Sequence, residues 1–283
     1  MRNMPIIRFF SGSLSTAIAA SVLAALVVTA LTAPLINRYA VKQDPLAMDL
    51  DALRQPPGKN HLLGTDSKGR DILARIIAGS RPSLFVGIVS ALFSLAIGVV
   101  LGLAAGYFGG KLDAVLSRIF DVFLAFPSLL LAIGISAVIQ PGLGSAMLAI
   151  TLVSWAGFAR LVRGMTMSLR EQTYIEASRA IGASTTRILF RHILPNAVPL
   201  LLVAASLRIG GFILIESSLS FLGLGIQPPD PTWGSMISLN RSYINSAPWM
   251  VLFPGLAISA TVVSFNILGD HLRDRLDPRE IRL

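Results

Sequence analysis

Few residues of this 283-residue chain are equipped for chemistry. It has no cysteine, which excludes thiolate catalysis, disulfides and cysteine-ligated zinc or iron–sulfur sites. Its three histidines, His61, His192 and His271, are too few and too scattered to suggest a metal site. The sequence has no G-x-x-x-x-G-K-S/T loop, the usual cradle for ATP phosphates, and the Gly223-Leu224-Gly225 segment carries no lysine. No catalytic residue, metal site or cofactor is therefore expected in this chain. Two features remain. One is a polar segment that opens with Arg160-Leu161-Val162-Arg163, continues through Glu171–Ala183 and ends at His192-Ile193-Leu194-Pro195. The other is Arg208, a lone charge in the apolar run Asn196–Ile215. An arginine inside a membrane span costs at least about 2.5–3.5 kcal/mol on insertion scales, so it should face protein or a water-filled cavity. It is either an electropositive point on a solute pathway, suited to a carboxylate, or half of an ion pair with a partner subunit or with Glu216.

The elements that hold these residues follow from composition. Apolar residues make up 53% of the chain and charged residues 14%, against about 25% in soluble domains. Mean hydropathy is +0.69. There is too little polar surface to cover a soluble globule, so the expectation is an integral membrane protein. A spanning helix needs about 20 apolar residues. Candidate spans are Leu14–Ile36, Pro82–Gly110, Asn196–Ile215 and Ser246–Gly269, with two more in the 38-residue run Val122–Ala159, divided at the turn signal Gln140–Gly144. The first run exceeds the usual 7–15 residues of a signal peptide and lacks an A-x-A site, which favours a retained anchor.

Basic residues orient the spans. With both termini cytoplasmic, the inner segments, including the tail with Arg2 and Arg8, hold 14 Lys/Arg and the outer ones 9. Eight of those nine sit in the 44-residue loop Arg38–Arg81, against the trend, together with five aspartates. In that loop a turn at Gly64–Gly69 precedes a short helix, Asp71–Gly79; the loop reads equally as a docking surface, a lid or a solvated cap. Trp233 and Trp249 read as interfacial belt residues.

Ser90, Ser94, Gly98, Gly102, Gly106 and Gly110 recur every four residues, the pattern of a close helix–helix seam within the subunit or against a partner. In the polar segment, Glu171–Ile181 is helix-forming, Gly182 stops it, and Ser184 or Thr185 can start a second helix with Ile188, Leu189, Ile193 and Leu194 on one side. A hairpin of over 30 residues is too long for a passive connection, given usual helix–helix loops of about 2–8 residues. It is either an amphipathic anchor on anionic lipid or a docking surface for a cytoplasmic partner.

Glu176-Ala177-Ser178, then Gly182, then Ile193-Leu194-Pro195 resembles the EAA loop of ATP-binding-cassette importer permeases, with Ser178 in place of the second alanine and Pro195 at plus thirteen from Gly182. Leu63-Gly64-Thr65-Asp66-Ser67-Lys68-Gly69-Arg70-Asp71 resembles a signature of dipeptide, oligopeptide and nickel permeases. Ser220 to Pro229 with Trp233-Gly234, Phe253-Pro254-Gly255, and Leu268 to Pro278 are similar to further segments of that subfamily, and together they point to its C-type subunit.

The resemblance implies an all-α membrane protein with six transmembrane helices in the type I ABC importer transmembrane fold and an external loop after the first helix. It divides the chain into an anchor and external loop (1–81), a transmembrane domain (82–276) with a coupling loop (160–195), and a cytoplasmic tail (277–283). The implied function is a permease subunit of an ATP-driven importer of di- or oligopeptides in a bacterial inner membrane. The implied partners are a B-type permease subunit, two ATPase subunits that bind ATP and Mg, and an extracytoplasmic binding protein. Glu176, Ala177, Ser178, Ile181 and Gly182 would couple to the ATPase, and Arg208 would lie on the substrate pathway. Nickel or another small complex is the alternative cargo. A stand-alone secondary transporter is the remoter alternative, and nucleic acid is not an expected partner.

Overall fold

The structure is a computed structural model and describes residues 14–276. The tail with Arg2 and Arg8, the end of the C-terminal motif at Asp277-Pro278, and the segment 277–283 lie outside the described residues. The described chain is helical: α1 (Leu14–Leu35), α2 (Ile72–Phe108), α3 (Gly110–Ala125), α4 (Ser128–Val138), α5 (Leu143–Arg170), α6 (Thr173–Ala180), α7 (Thr185–Ile188), α8 (Leu194–Phe221), α9 (Trp233–Asn240) and α10 (Trp249–Leu276). Five helical stretches are long and apolar enough to cross a membrane. A sixth crossing results if α3 and α4, bent by 90° at Phe126-Pro127, count as one.

Two prolines change the spans expected from the sequence. The short helix at Asp71–Gly79 and the span from Pro82 are one 37-residue helix, α2. The Asp71 carboxylate starts it by accepting from the Ala74 amide at 2.7 Å. Pro82 removes one backbone donor but does not break the rod, as long membrane helices tolerate. The boundary at 81/82 thus falls inside a continuous helix. Pro127 has the opposite effect. Phe126 is extended (φ −91°, ψ 140°), as a residue before proline prefers, and the chain turns there. The run Val122–Ala159 therefore breaks twice, at Pro127 and at Gln140–Gly142.

The centre of the bundle is the pairing of α2 with α5. A Cβ added at Gly98 would stand 2.9 Å from the Ala159 nitrogen. At Gly102 it would lie 2.6 Å from the Ala159 oxygen, and at Gly106 2.7 Å from the Arg163 oxygen. Ser90 and Ser94 extend the line by donating to the Met147 and Thr151 carbonyls, each at 3.4 Å. The small-residue stripe is thus an internal seam, closed by backbone approach that larger side chains would forbid. Gly110 lies outside it, at the start of α3 with open space around it. α8 packs on α2 and α10, and α1 packs on α2 and α10.

Residues 42–71 form a collar over one end of the bundle. At its heart the buried Asp66 carboxylate accepts from the Lys68 amide (2.8 Å), the Arg70 amide (3.0 Å) and the Arg70 Nε (2.7 Å). The Arg75 Nε lies 3.7 Å away. Trp249 Nε1 donates to the Thr65 carbonyl at 3.3 Å, and Asn37 Nδ2 to the Ala74 carbonyl at 3.0 Å. Trp249 thus ties the collar to α10 and the Asp66–Arg75 contact ties it to α2, so it packs as a cap on the helix ends, while Asn37 joins the turn after α1 to α2. Trp233 is fully buried, its Nε1 donating to the Ile76 carbonyl at 3.0 Å, and is therefore a core residue and not part of an interfacial belt.

Candidate functional site

The polar segment forms a helical hairpin at the end opposite the collar. α5 runs into it, and α6 follows after a turn in which the Gln172 carbonyl accepts from the Ile175 and Glu176 amides. α6 ends in a Schellman motif. The Ala183 amide reaches the Ser178 carbonyl and the Gly182 amide the Arg179 carbonyl, both at 3.0 Å, with Gly182 at φ +84°. The Ser184 hydroxyl starts α7 by accepting from the Arg187 amide at 3.4 Å. α7 passes through a π-helical turn, Leu189–Ile193, directly into α8. The second arm of the hairpin and the following span are therefore one rod.

Burial divides the hairpin into an inner and an outer face. Ile175 is fully buried and packs with Leu103, Val162, Ile188, Ile193, Ala197 and Leu201. That cluster clamps α6 to α2, α5 and α8. Glu176, Ala177 and Gly182 are exposed, Ser178 is half-buried with its hydroxyl donating to the Tyr174 carbonyl at 2.8 Å, and Ile181 is 86% exposed. The five residues singled out in the sequence thus lie together along α6 and its C-terminal turn, and four of them face outward.

The arginines flanking this face are largely engaged within the chain. Arg163 grips Asp113 through two hydrogen bonds, one at 2.7 Å, and Arg160 pairs with Asp121. Arg170 Nη1 donates to the Gly106 and Tyr107 carbonyls at 3.2 and 3.1 Å, satisfying the C-terminal end of α2, and its Nε pairs with Glu171. Arg179 lies over the Tyr107 ring at 5.7 Å. Four of the six arginines that a lipid anchor would use instead join α5 and α6 to α2 and α3.

Arg208 lies midway along α8. Its guanidinium is 4.6 Å from the centroid of the Phe158 ring on α5. It fills the space beside Gly157, where any Cβ would collide with it. Arg208 does not pair with Glu216. That carboxylate is buried and accepts from Ser220 Oγ at 2.8 Å and Ser217 Oγ at 3.3 Å. Among the described residues no hydrogen bond or ion pair holds Arg208, a half-buried cation in the middle of the membrane-spanning bundle.

The sequence reading did not find the Asp66–Arg70–Arg75 hub, although the i, i+4 spacing of Asp66 and Arg70 was a visible signal. Nor did it find the part played by Arg163 and Arg170 in locking the hairpin to the seam.

A seam-locked bundle of long apolar helices with an outward-facing hairpin at one end and a collar at the other has the architecture of a multi-pass membrane protein. Residues 98–282 match the family described as binding-protein-dependent transport system inner membrane component, and the chain belongs to that family. It is 50% identical over 231 residues to the glutathione transport system permease protein GsiD of Pectobacterium atrosepticum, covering 82% of this chain and 77% of that one. It is 50% identical over 225 residues to the dipeptide transport system permease protein DppC of Alkalihalophilus pseudofirmus (80% and 74% covered). It is 41% identical over 256 residues to the probable D,D-dipeptide transport system permease protein DdpC of Escherichia coli K12 (90% and 86% covered). The fold is that of a chain of the MetNI methionine ABC transporter in an inward-facing conformation, with a TM-score of 0.59 at 24% identity over 72% of this chain and 97% of that one. The expected all-α importer fold is therefore the one found.

Proposed function

We propose that this chain is the C-type permease subunit of an ATP-driven peptide importer. In this reading it forms the membrane pathway with a B-type subunit, receives peptide from an extracytoplasmic binding protein, and is moved by two ATPase subunits that hold ATP and Mg. The cargo follows from the relatives, whose names give dipeptides and glutathione. The coupling role rests above all on Ile181. Its side chain is 86% exposed at the tip of a polar hairpin, placed where a groove on a partner would cover it. Glu176, Ala177, Ser178 and Gly182 frame that knob. The continuous rod from α7 into α8 would carry its displacement toward Arg208 in the pathway.

The hairpin end is then cytoplasmic and the collar end external, with the chain running from an N-terminal anchor through the transmembrane domain to a cytoplasmic tail. The basic residues of the external loop support this more than their number suggests, since Arg70 and Arg75 are buried around Asp66. ATP at the motor and peptide at the pathway would bias the same two access states, which is allosteric coupling. The test is reconstitution with the cognate partners in proteoliposomes. ATP-dependent uptake of labelled dipeptide or glutathione is expected, and solute movement by this chain without a motor would refute the proposal.

A further inference from the structure

At the collar end a cavity of about 580 Å³ opens between α2, the collar at Pro45-Leu46, the start of α5 and the loop before α9. This lies within the range of about 300–1,000 Å³ typical of small-molecule sites. Its walls are mostly apolar, with Phe85, Leu143 and Ile226 among them, and the two charged residues lining it are Arg81 and Asp230. Both are exposed, and neither makes a hydrogen bond or ion pair within the described residues. Nearby Arg70 and Arg75 are buried around Asp66, and Asp230 lies within electrostatic reach of Arg75, so the cavity presents one exposed cation at Arg81 and, across from it, an exposed carboxylate backed by a buried arginine.

The walls are fixed. Arg75 Nη1 holds the Pro45 carbonyl at 2.9 Å. Trp233 Nε1 holds α9 to the Ile76 carbonyl. The 230–232 backbone runs so close to α2 that a Cβ at Gly79 would stand 3.3 Å from the Pro231 oxygen. A cavity already built loses little conformational freedom when a ligand enters.

We propose that this cavity is a receiving subsite for a short zwitterionic peptide. Its ammonium sits at Asp230, its carboxylate at Arg81, and an apolar side chain lies against Phe85 and Leu143. Guanidinium suits a carboxylate through paired N–H donors. An uncharged solute would gain from neither Arg81 nor Asp230, and a simple anion or cation from only one of them. The proposal rests on the peptide-import reading above and places the first contact of the released peptide on this chain.

The experiment uses the complete assembly of permease pair and ATPases in nanodiscs, without the binding protein, and measures saturable binding of tritiated L-alanyl-L-phenylalanine. N-acetylation or C-amidation of the peptide is expected to weaken binding about tenfold each, the weight of one charge-assisted hydrogen bond. Arg81→Gln should erase the preference for the free carboxylate and keep that for the free amine; Asp230→Asn should do the reverse. Co-purification of the partners confirms that each variant assembles, and the two peptide derivatives test the wild type whatever the variants do. No saturable binding, equal binding of all three peptides, or preferences that survive both substitutions overturns the subsite. A parallel uptake assay with the binding protein present separates the two readings. Peptide uptake without selective binding refutes the subsite alone, whereas absence of peptide uptake refutes the import reading and the subsite with it.

Discussion

Gly106 of α2 lies so close to Arg163 of α5 that a Cβ on the glycine would stand 2.7 Å from the arginine carbonyl. The same arginine grips Asp113 of α3 with its side chain, so backbone approach and ion pair act at one level of the bundle. The seam thus stays close from Gly98 to Gly106, and just above the hairpin an ion pair is added to it. A displacement of the hairpin is passed to α2 and α5 as a pair, because neither helix can slide past the other without a clash.

Substitutions along the seam test this. Gly102→Ala and Gly106→Ala should each lower stability by about 1–3 kcal/mol, the cost of overpacking a close contact. Gly164→Ala, on α5 where an added Cβ meets nothing within 4 Å, should be neutral or slightly stabilising, since alanine is the better helix former. Thermal unfolding of the detergent-solubilised subunit reads the difference; equal losses at Gly102 and Gly164 would rule out a close-packed seam.

Two isoleucines six residues apart should separate folding from coupling. Ile175→Ala empties a fully buried position and should cost about 2–5 kcal/mol. Ile181→Ala removes an exposed side chain and should change stability by less than about 0.5 kcal/mol, the usual range for surface changes, while weakening ATPase co-purification and transport. Stability from melting curves and ATPase association from pull-down should therefore move in opposite patterns for the two variants.

The turn at Gly182 carries the next prediction. A left-handed residue there costs any L-amino acid other than glycine about 1–2 kcal/mol. Open space surrounds the site, so Gly182→Ala should show that strain alone. Gly182→Pro also removes the amide that reaches the Arg179 carbonyl, and Glu176→Lys reverses charge on the exposed face. Both should leave the subunit membrane-inserted yet uncouple uptake from ATP hydrolysis in proteoliposomes. Normal transport by either would contradict a coupling role for α6.

Asp66 should behave as the keystone of the collar. Asp66→Asn leaves Arg70 and Arg75 buried without their countercharge, a loss of about 3–5 kcal/mol for broken buried pairs. Limited proteolysis should then cut within residues 42–71 at protease levels that spare the wild type.

Two prolines and one aspartate mark how far the sequence could be read. Apolar runs, free of charge except for Arg208, located every long helix among the described residues, because the bilayer imposes its own length. Helix-start and helix-stop chemistry located the hairpin, because Gly182 and Ser184 act within a few residues of themselves. Pro82 and Pro127 look alike in sequence and end oppositely. Whether a rod continues through a missing hydrogen bond depends on its neighbours: the helix that carries Pro82 packs along its length on α5 and α8, while Pro127 opens a corner. Asp66 looked like part of a family signature, and its role appears only when the chain brings to it Arg75, which also holds the Pro45 carbonyl. The exposure of Ile181 was likewise invisible until Ile175 had taken the inner face.

Arg208 offers the sharpest separation of roles. Because Glu216 is held by Ser217 and Ser220, Arg208→Ala removes no internal ion pair, and the subunit should fold. It does remove the contact over Phe158 and opens space at Gly157. If the guanidinium faces the pathway, Arg208→Ala should leave co-purification of the B-type partner intact and depress peptide uptake at least about tenfold, the effect of losing one charged contact in a poorly hydrated channel. Arg208→Lys keeps the charge without the planar fork and should recover part of that uptake. If Arg208 instead pairs across the subunit interface, partner co-purification fails in Arg208→Ala while the residual assembled fraction transports with unchanged selectivity. Measuring assembly and uptake on the same preparations decides between the two, since the pathway role predicts that only the second quantity falls.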